Sequence, residues 1–213
     1  MKKLWPVLFI LLLVSQVVKA DGKDPNDPNE FLRAKWEDVI KDPNDPNELL
    51  QVKWDAIVKV LETRDINQKA KERIIEKIVS PLFDFPLMCK LTLGRTHWSK
   101  LTPAQSDKFS RFFVERLKDT YREKIVLYKD EKVSFKPVIK KKKTTHIPMV
   151  MTSNNKKITI LYKLRKVGKF WKVYDVEIQG VSIILTYRSQ FNDTLSHSTI
   201  NDLISQLEKK STD

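Results

Sequence analysis

Glycine is scarce, with four residues in 213. So few leave no Gly-rich loop whose backbone could close around a phosphate. Cys89 is the single cysteine, so no internal disulfide can form and stability has to come from packing. It lies in an apolar stretch, where a buried and inert thiol is expected. The three histidines, His97, His146 and His197, are far apart in sequence, and no metal-binding spacing occurs. A nucleophile elbow is missing as well. The longest apolar run, Leu4 to Val14, is eleven residues. A bilayer-spanning helix needs ~20.

That run follows Lys2 and Lys3 and precedes Val18-Lys19-Ala20. A basic start, a short apolar core and a small residue form a cleavable export signal over residues 1–20. No cysteine follows for lipid attachment, so a soluble exported chain beginning near Asp21 is expected. Removing Lys2, Lys3 and Lys19 takes three positive charges from the net +13 and leaves +10. Such a chain attracts polyanions. Export excludes nucleic acid as the natural partner and favours anionic lipid or lipopolysaccharide.

KDPNDPNE occurs twice, opening two eighteen-residue units, Lys23–Ile40 and Lys41–Val58, that share eleven positions including Trp36 and Trp54. Proline and asparagine make each opening a turn that can cap a helix. A solenoid needs about three or more units, and only two occur. The second unit is therefore read as the first helix of a single domain, residues 41–213. Residues 21–40 are read as a duplicated extension.

Downstream, Ile74, Ile75, Ile78, Val79 and Leu82 form one helical stripe ended by Pro81. Asp84-Phe85-Pro86 can start a helix that stops at Gly94. Thr102-Pro103-Ala104-Gln105 is a capping box with proline at the first helical position. It predicts a helix to about Lys124. After Ile125 the period becomes two. Val133 and Phe135 alternate, as do Ile147, Met149 and Met151, where Pro148 suits an edge or a bulge. Asn154-Asn155 reads as a turn before Ile158, Ile160, Tyr162 and Leu164. Along Phe170–Gln179, Trp171 and Val173 keep one phase while Val176 and Ile178 keep the other. A bulge near Tyr174–Asp175 reconciles them; the alternative has Phe170, Tyr174, Val176 and Ile178 all inward. Helical patterns from about Val181 to Asn192 and from Ile200 to Lys209 close the chain, the second capped by Ser198 or Thr199. This order predicts an α+β fold with about four mostly antiparallel strands wrapped by helices.

Few residues suggest chemistry. Asp175 and Glu177 share a strand face unless the bulge separates them, and paired carboxylates can serve as acid and base or be a solvated or salt-bridged pair. Asp175 is the best enzyme candidate. Lys140–Lys143 is either a patch for anionic head groups or a solvated loop. Phe109, Phe112, Phe113, Leu117 and Tyr121 lie along one helix side and would face Ile158, Ile160, Tyr162, Val176 and Ile178. That inventory suits either a filled core or an apolar ligand cavity.

The stretch VSPLFDFPLMCKLTLGRTHWSKLTPAQSDKFSRFFVERLKDTY resembles the MlaC, or toluene-tolerance, family of periplasmic phospholipid-binding proteins. GKFWKVYDVEIQGVSIILTYRSQF resembles it too. The matching features include Asp84-Phe85, Leu93-Gly94-Arg95 with Trp98, the Thr102–Gln105 cap, Trp171 with Tyr174-Asp175, Gly180-Val181-Ser182, and Tyr187-Arg188-Ser189 with Phe191. The likeness covers roughly Asp45 to Leu207. The upstream repeat and Lys140–Lys143 depart from it.

The resemblance implies a cone like that of nuclear-transport-factor-2-like domains and a non-enzymatic monomer carrying phospholipid as cargo, with no cofactor and no metal. The expected cavity lining is Leu87, Leu91, Phe109, Phe112, Phe113, Leu117, Tyr121, Ile158, Ile160, Tyr162, Trp171, Val173, Val176, Ile178, Val181, Ile184 and Tyr187. Arg95 and Arg188 are expected at the mouth, near the head group. Implied partners are an inner-membrane ABC transporter complex with an MCE-domain ring and an outer-membrane lipoprotein–porin complex, besides transient contact with membrane surfaces. Different classes remain open beside it: an enzyme on the same scaffold using Asp175, and an envelope adaptor using the repeat and the lysine run.

Overall fold

The second DPNDPN segment ends in a helix cap. Asp45, in extended backbone, accepts from the amides of Asn47 at 2.8 Å and Glu48 at 3.0 Å, and Pro46 takes the first helical position. Helix α1 (Pro46–Glu62) buries Leu49, Leu50, Trp54, Ile57 and Val60. The computed structural model describes residues 44–125, 132–153 and 156–209. The expected export signal, the first repeat unit with Trp36, and the turn expected at Asn154-Asn155 lie outside them.

Helix α2 (Gln68–Val79) is capped by Asn67, which accepts from Ala70 N at 2.8 Å, and it buries Ile74, Ile75, Ile78 and Val79. A 3-10 turn, Ser80–Leu82, holds Pro81. Helix α3 (Phe85–Trp98) starts at Asp84, which accepts from Leu87 N at 3.1 Å. Gly94 breaks it, with φ 69° and ψ 165°, a region only glycine occupies freely. The expected stop at Gly94 is thus a kink, and one more turn follows. Helix α4 (Pro103–Ile125) has both bonds of the capping box. Thr102 N donates to Gln105 Oε1 at 3.0 Å, and Gln105 N donates to Thr102 Oγ1 at 3.2 Å.

Six strands form one antiparallel sheet: β1 (Lys132–Phe135), β2 (Ile139–Lys140), β3 (Thr145–Ser153), β4 (Lys156–Val167), β5 (Phe170–Ile178) and β6 (Val181–Ser182). Their order is β1-β3-β4-β5-β6, and β2 also pairs with β3. The four longer strands are those expected; β2 and β6 are two-residue additions that periodicity cannot register. Pro148 is not on an edge strand, since β3 is paired on both sides. Its carbonyl accepts from Lys136 N at 2.8 Å. Within a strand residue the amide and carbonyl point the same way. The missing N–H therefore faces the break between β1 and β2, where no ladder bond is lost.

In β5, Val173 pairs with Leu164 and Asp175 with Lys163, leaving Tyr174 as the extra residue. This is the expected bulge, and it brings Trp171, Val173, Val176 and Ile178 into one phase. Gln179 (φ 51°) and Gly180 (φ 81°) make the tight turn into β6. The Gln179 Oε1 accepts from Thr159 N at 3.2 Å and Thr159 Oγ1 at 2.8 Å.

Helix α5 (Ile183–His197) begins two residues later than the pattern suggested, because Val181 and Ser182 pair with β5 and Ser182 serves as cap to Leu185 N. Helix α6 (Ile200–Lys209) is capped by Thr199 in a reciprocal pair with Asp202. Helices α1, α3 and α5 lie against the sheet, at β3 and β5. The principal neighbours of α4 are α3 and α6, and no strand is among them.

Candidate functional site

Alternation decides which side chains turn inward. Ile147, Met149 and Met151 on β3, Ile158, Ile160, Tyr162 and Leu164 on β4, and Val173 and Val176 on β5 are all buried. Paired across the strands, they form a continuous apolar face. Trp171 and Ile178 continue it, half-buried, at the two ends of β5. Burial pushes the Tyr162 phenol far above its ordinary pKa, so it stays protonated.

The helical side of the interior is aromatic. Phe109 and Phe113 are four residues apart on α4, as are Tyr187 and Phe191 on α5, so each pair shares a helix face. Phe109 stacks on Phe113 at 5.6 Å between ring centroids. Phe191 meets both edge-on at 5.6 Å, and Tyr187 meets Phe113 at 5.1 Å. Trp98 of α3 closes the cluster against Phe109 at 6.3 Å. The aromatic stripe of α4 therefore packs on α5 and α3, where the sequence suggested that it would face strands. Ring pairing favours edge-on and offset geometries, and α5 supplies the partners.

The remaining expected lining residues divide by element. Leu117 and Ile184 are buried, while Leu87, Leu91, Phe112 and Tyr187 are half-buried. The Arg111 guanidinium lies 4.6 Å from the Phe112 ring centroid. The Tyr121 side chain lies outside the described part. Val181, expected inside, is 59% exposed: it stands opposite Ile178 on β6, a two-residue edge strand with no further strand beside it, while Ser182, opposite Glu177, is buried and bonds Asp175. Arg95 is exposed. Arg188 lies against Gly94: a Cβ there would stand 3.0 Å from its Nη2. The Leu93-Gly94-Arg95 and Tyr187-Arg188-Ser189 motifs thus meet in space; the backbone angle requires Gly94, and any side chain there would also have to displace the Arg188 guanidinium.

Phe109, Phe113 and Leu117 have 0% exposed surface, whereas Ile160 and Tyr162 each keep 5%. Both flanks of β4 are paired strands. The helical side and the inner face of β4 are therefore both closely covered.

The opposite face of the sheet carries an ion cluster. Lys163 Nζ donates to Asp175 Oδ2 at 3.0 Å and also bonds Glu177. Asp175 accepts from Ser182 Oγ at 2.9 and 2.8 Å and from Ile184 N at 3.3 Å. The bulge precedes Asp175, so both carboxylates share the face and jointly hold Lys163. Burial disfavours the ammonium, but the hydrogen bonds to Glu177 and Asp175 outweigh it and raise its pKa. Asp175, the best enzyme candidate by sequence, is occupied in tying the start of α5 to the sheet. Asp84 does the same for α3, bound by Arg165 Nε at 2.6 Å. The Arg165 and Lys163 partnerships were hidden, since nothing in the chain pairs residues 81, 12 or 14 positions apart. Ile147, Met149, Met151 and Phe191 belong to the interior as well, and their strand and helix periodicity was readable.

Cys89 is buried, with its pKa pushed up to about 11 by burial. Among the described residues no group of three or more His, Cys, Asp or Glu could hold a metal ion, and no helix is long and apolar enough to cross a membrane.

Comparison with known proteins agrees with this arrangement. The fold matches that of a phospholipid-binding protein from Ralstonia solanacearum, solved in complex with a phospholipid, with a TM-score of 0.70 and 22% identity. The match covers 79% of this chain and 97% of that one. The toluene tolerance protein Ttg2D of Pseudomonas putida is 27% identical over 139 residues, which is 64% of this chain. This chain spans 64% of the length of that relative. The family model for the MlaC protein matches residues 51–209. Because that match takes in every strand and all but the start of the first described helix, the chain belongs to the MlaC family.

Proposed function

We propose that the protein is a phospholipid carrier that shelters acyl chains between helix α4 and the inner face of the sheet. The observation that carries this reading is that face: three adjacent strands turn inward a run of apolar side chains with one neutral phenol, and the buried Thr145 hydroxyl stands only at the end of β3. Each methylene withdrawn from water contributes ~0.8 kcal/mol, so two chains of about fifteen methylenes represent roughly 24 kcal/mol. Transfer out of a membrane is feasible only if the protein offers a surface about as dry. No catalytic group is needed for that exchange.

Helix α4 packs on α3 and α6, so it can shift relative to the sheet without breaking strand pairing. Methionines on β3 suit an irregular apolar guest because they are unbranched and adaptable. We place the head group outside, near exposed basic residues such as Arg95 and Arg188. The carrier would work as a periplasmic monomer, exported by residues 1–20. It would exchange lipid with an MCE-domain ABC transporter and an outer-membrane lipoprotein–porin complex and so maintain outer-membrane lipid asymmetry.

The test is solvent extraction of protein purified from cells, followed by mass spectrometry. Phospholipid should be recovered, and Ile160→Asp or Phe113→Asp should lower the yield in protein that circular dichroism shows to be folded. Folded wild-type protein that yields no phospholipid would overturn the reading.

A further inference from the structure

From Lys132 to Tyr174 the chain has thirteen lysines and arginines and no aspartate or glutamate. The sheet gathers part of this charge at one end. β3 starts at Thr145, opposite Leu164, but β4 runs on through Arg165–Val167, paired with β5. Its tip projects about 10 Å further, at ~3.3 Å per residue. Beside it the Lys141–Thr144 turn, closed by Lys141 N donating to Thr144 O at 2.9 Å, joins β2 to β3. Lys140, Lys141, Lys142 and Lys143 are all exposed there, as are Lys166 and Lys169 on the neighbouring hairpin. None of the six pairs with a described carboxylate.

The same end carries exposed apolar side chains. Ile139, Val167 and Phe170 are 43%, 41% and 42% exposed. Among the described residues five large hydrophobic side chains are exposed, and three stand here. Lys169 and Lys172 flank the Phe170 ring at 5.3 and 5.5 Å from its centroid, leaving its outer edge free of the core.

We propose that this end of the sheet docks the protein on anionic phospholipid bilayers. Val167, Phe170 and Ile139 enter the head-group layer, and Lys140–Lys143, Lys166 and Lys169 lie against the phosphates. Apolar side chains ringed by lysines match the two layers of an anionic membrane surface, where the apolar part settles among head groups and the ammonium groups meet negative charge. The apolar residues stand on protruding hairpin ends, a shape that a fluid head-group layer accepts without a preformed pocket. An acidic protein would need a complementary concavity for the same three side chains. The inference does not depend on the cargo reading, since docking and cargo are measured separately.

The experiment is flotation of the full chain with vesicles of phosphatidylethanolamine and phosphatidylglycerol, against vesicles of phosphatidylcholine. Binding should favour the anionic vesicles and fall with salt, as the screening length shrinks from ~8 Å to ~3 Å at 1 M. A lysine near an anionic surface contributes about a fivefold factor. Replacing Lys140–Lys143 with glutamine should therefore weaken partitioning by well over tenfold. Val167→Ser with Phe170→Ser should weaken it by roughly tenfold, with circular dichroism and co-purified phospholipid unchanged. Equal binding to both vesicle types would overturn the proposal. So would loss of binding in the lysine variant with none in the Val167→Ser, Phe170→Ser variant, which would mark the lysines as a site for acidic protein or soluble polyanion.

Discussion

Asp175→Asn keeps the shape of a buried carboxylate and removes its charge. In the wild type Asp175 serves three groups: the Lys163 ammonium at 3.0 Å, the Ser182 hydroxyl at 2.8 Å and the Ile184 amide at 3.3 Å. The Lys163 side chain is 16% exposed and that of Asp175 7%, so water screens the pair weakly. A hydrogen bond to a charged group contributes about 1.5–3 kcal/mol, and the asparagine amide can accept from only one side. Glu177 still holds Lys163, which limits the loss. The expected destabilisation is roughly 2–3 kcal/mol, or about 5–10 °C in Tm for a chain of this size.

Urea unfolding followed by far-UV circular dichroism measures it. Lys163→Met in the same background should add less than it does alone, because the two act through one contact. Since the folded state raises the Lys163 pKa, the pair's contribution should be complete below the ordinary lysine range. It should fade as pH climbs through the raised value. Bound phospholipid should be retained. A variant within about 0.5 kcal/mol of wild type would refute the assignment of Asp175 as the tie between sheet and α5.

Further outcomes follow from the same geometry. Gly94→Ala should destabilise by roughly 1–3 kcal/mol, and it should also displace Arg188; a neutral effect in chemical denaturation would show that the backbone angle is not required. Cys89, with its thiol pushed up to about 11 and buried, should react with a disulfide reagent at neutral pH only after denaturant is added. Rapid labelling of the native protein would contradict its burial.

Several helix starts were legible because a cap is local. Asp45, Asp84 and Thr102 each bond an amide two or three residues away, within the span that a reader of the chain can inspect. The bulge at Tyr174 was legible for a related reason: two apolar phases within one strand must be reconciled if both are to face the core. The facing of Phe109 and Phe113 was not. Their i, i+4 spacing defines a stripe, but a stripe is equally satisfied by a sheet or by a second helix, and Tyr187 and Phe191 took that place. Nor could the chain reveal that Arg188 would rest on Gly94, or that Val167 and Phe170 would stand beside Lys140–Lys143.

Caps and strand phase thus belong to the sequence alone, since each depends on neighbours a few positions apart. Which apolar side chains fill the interior and where charge gathers were decided only by the fold. Those properties depend on the lateral order of strands and the packing of distant helices, and contacts of that kind leave no periodic mark along the chain.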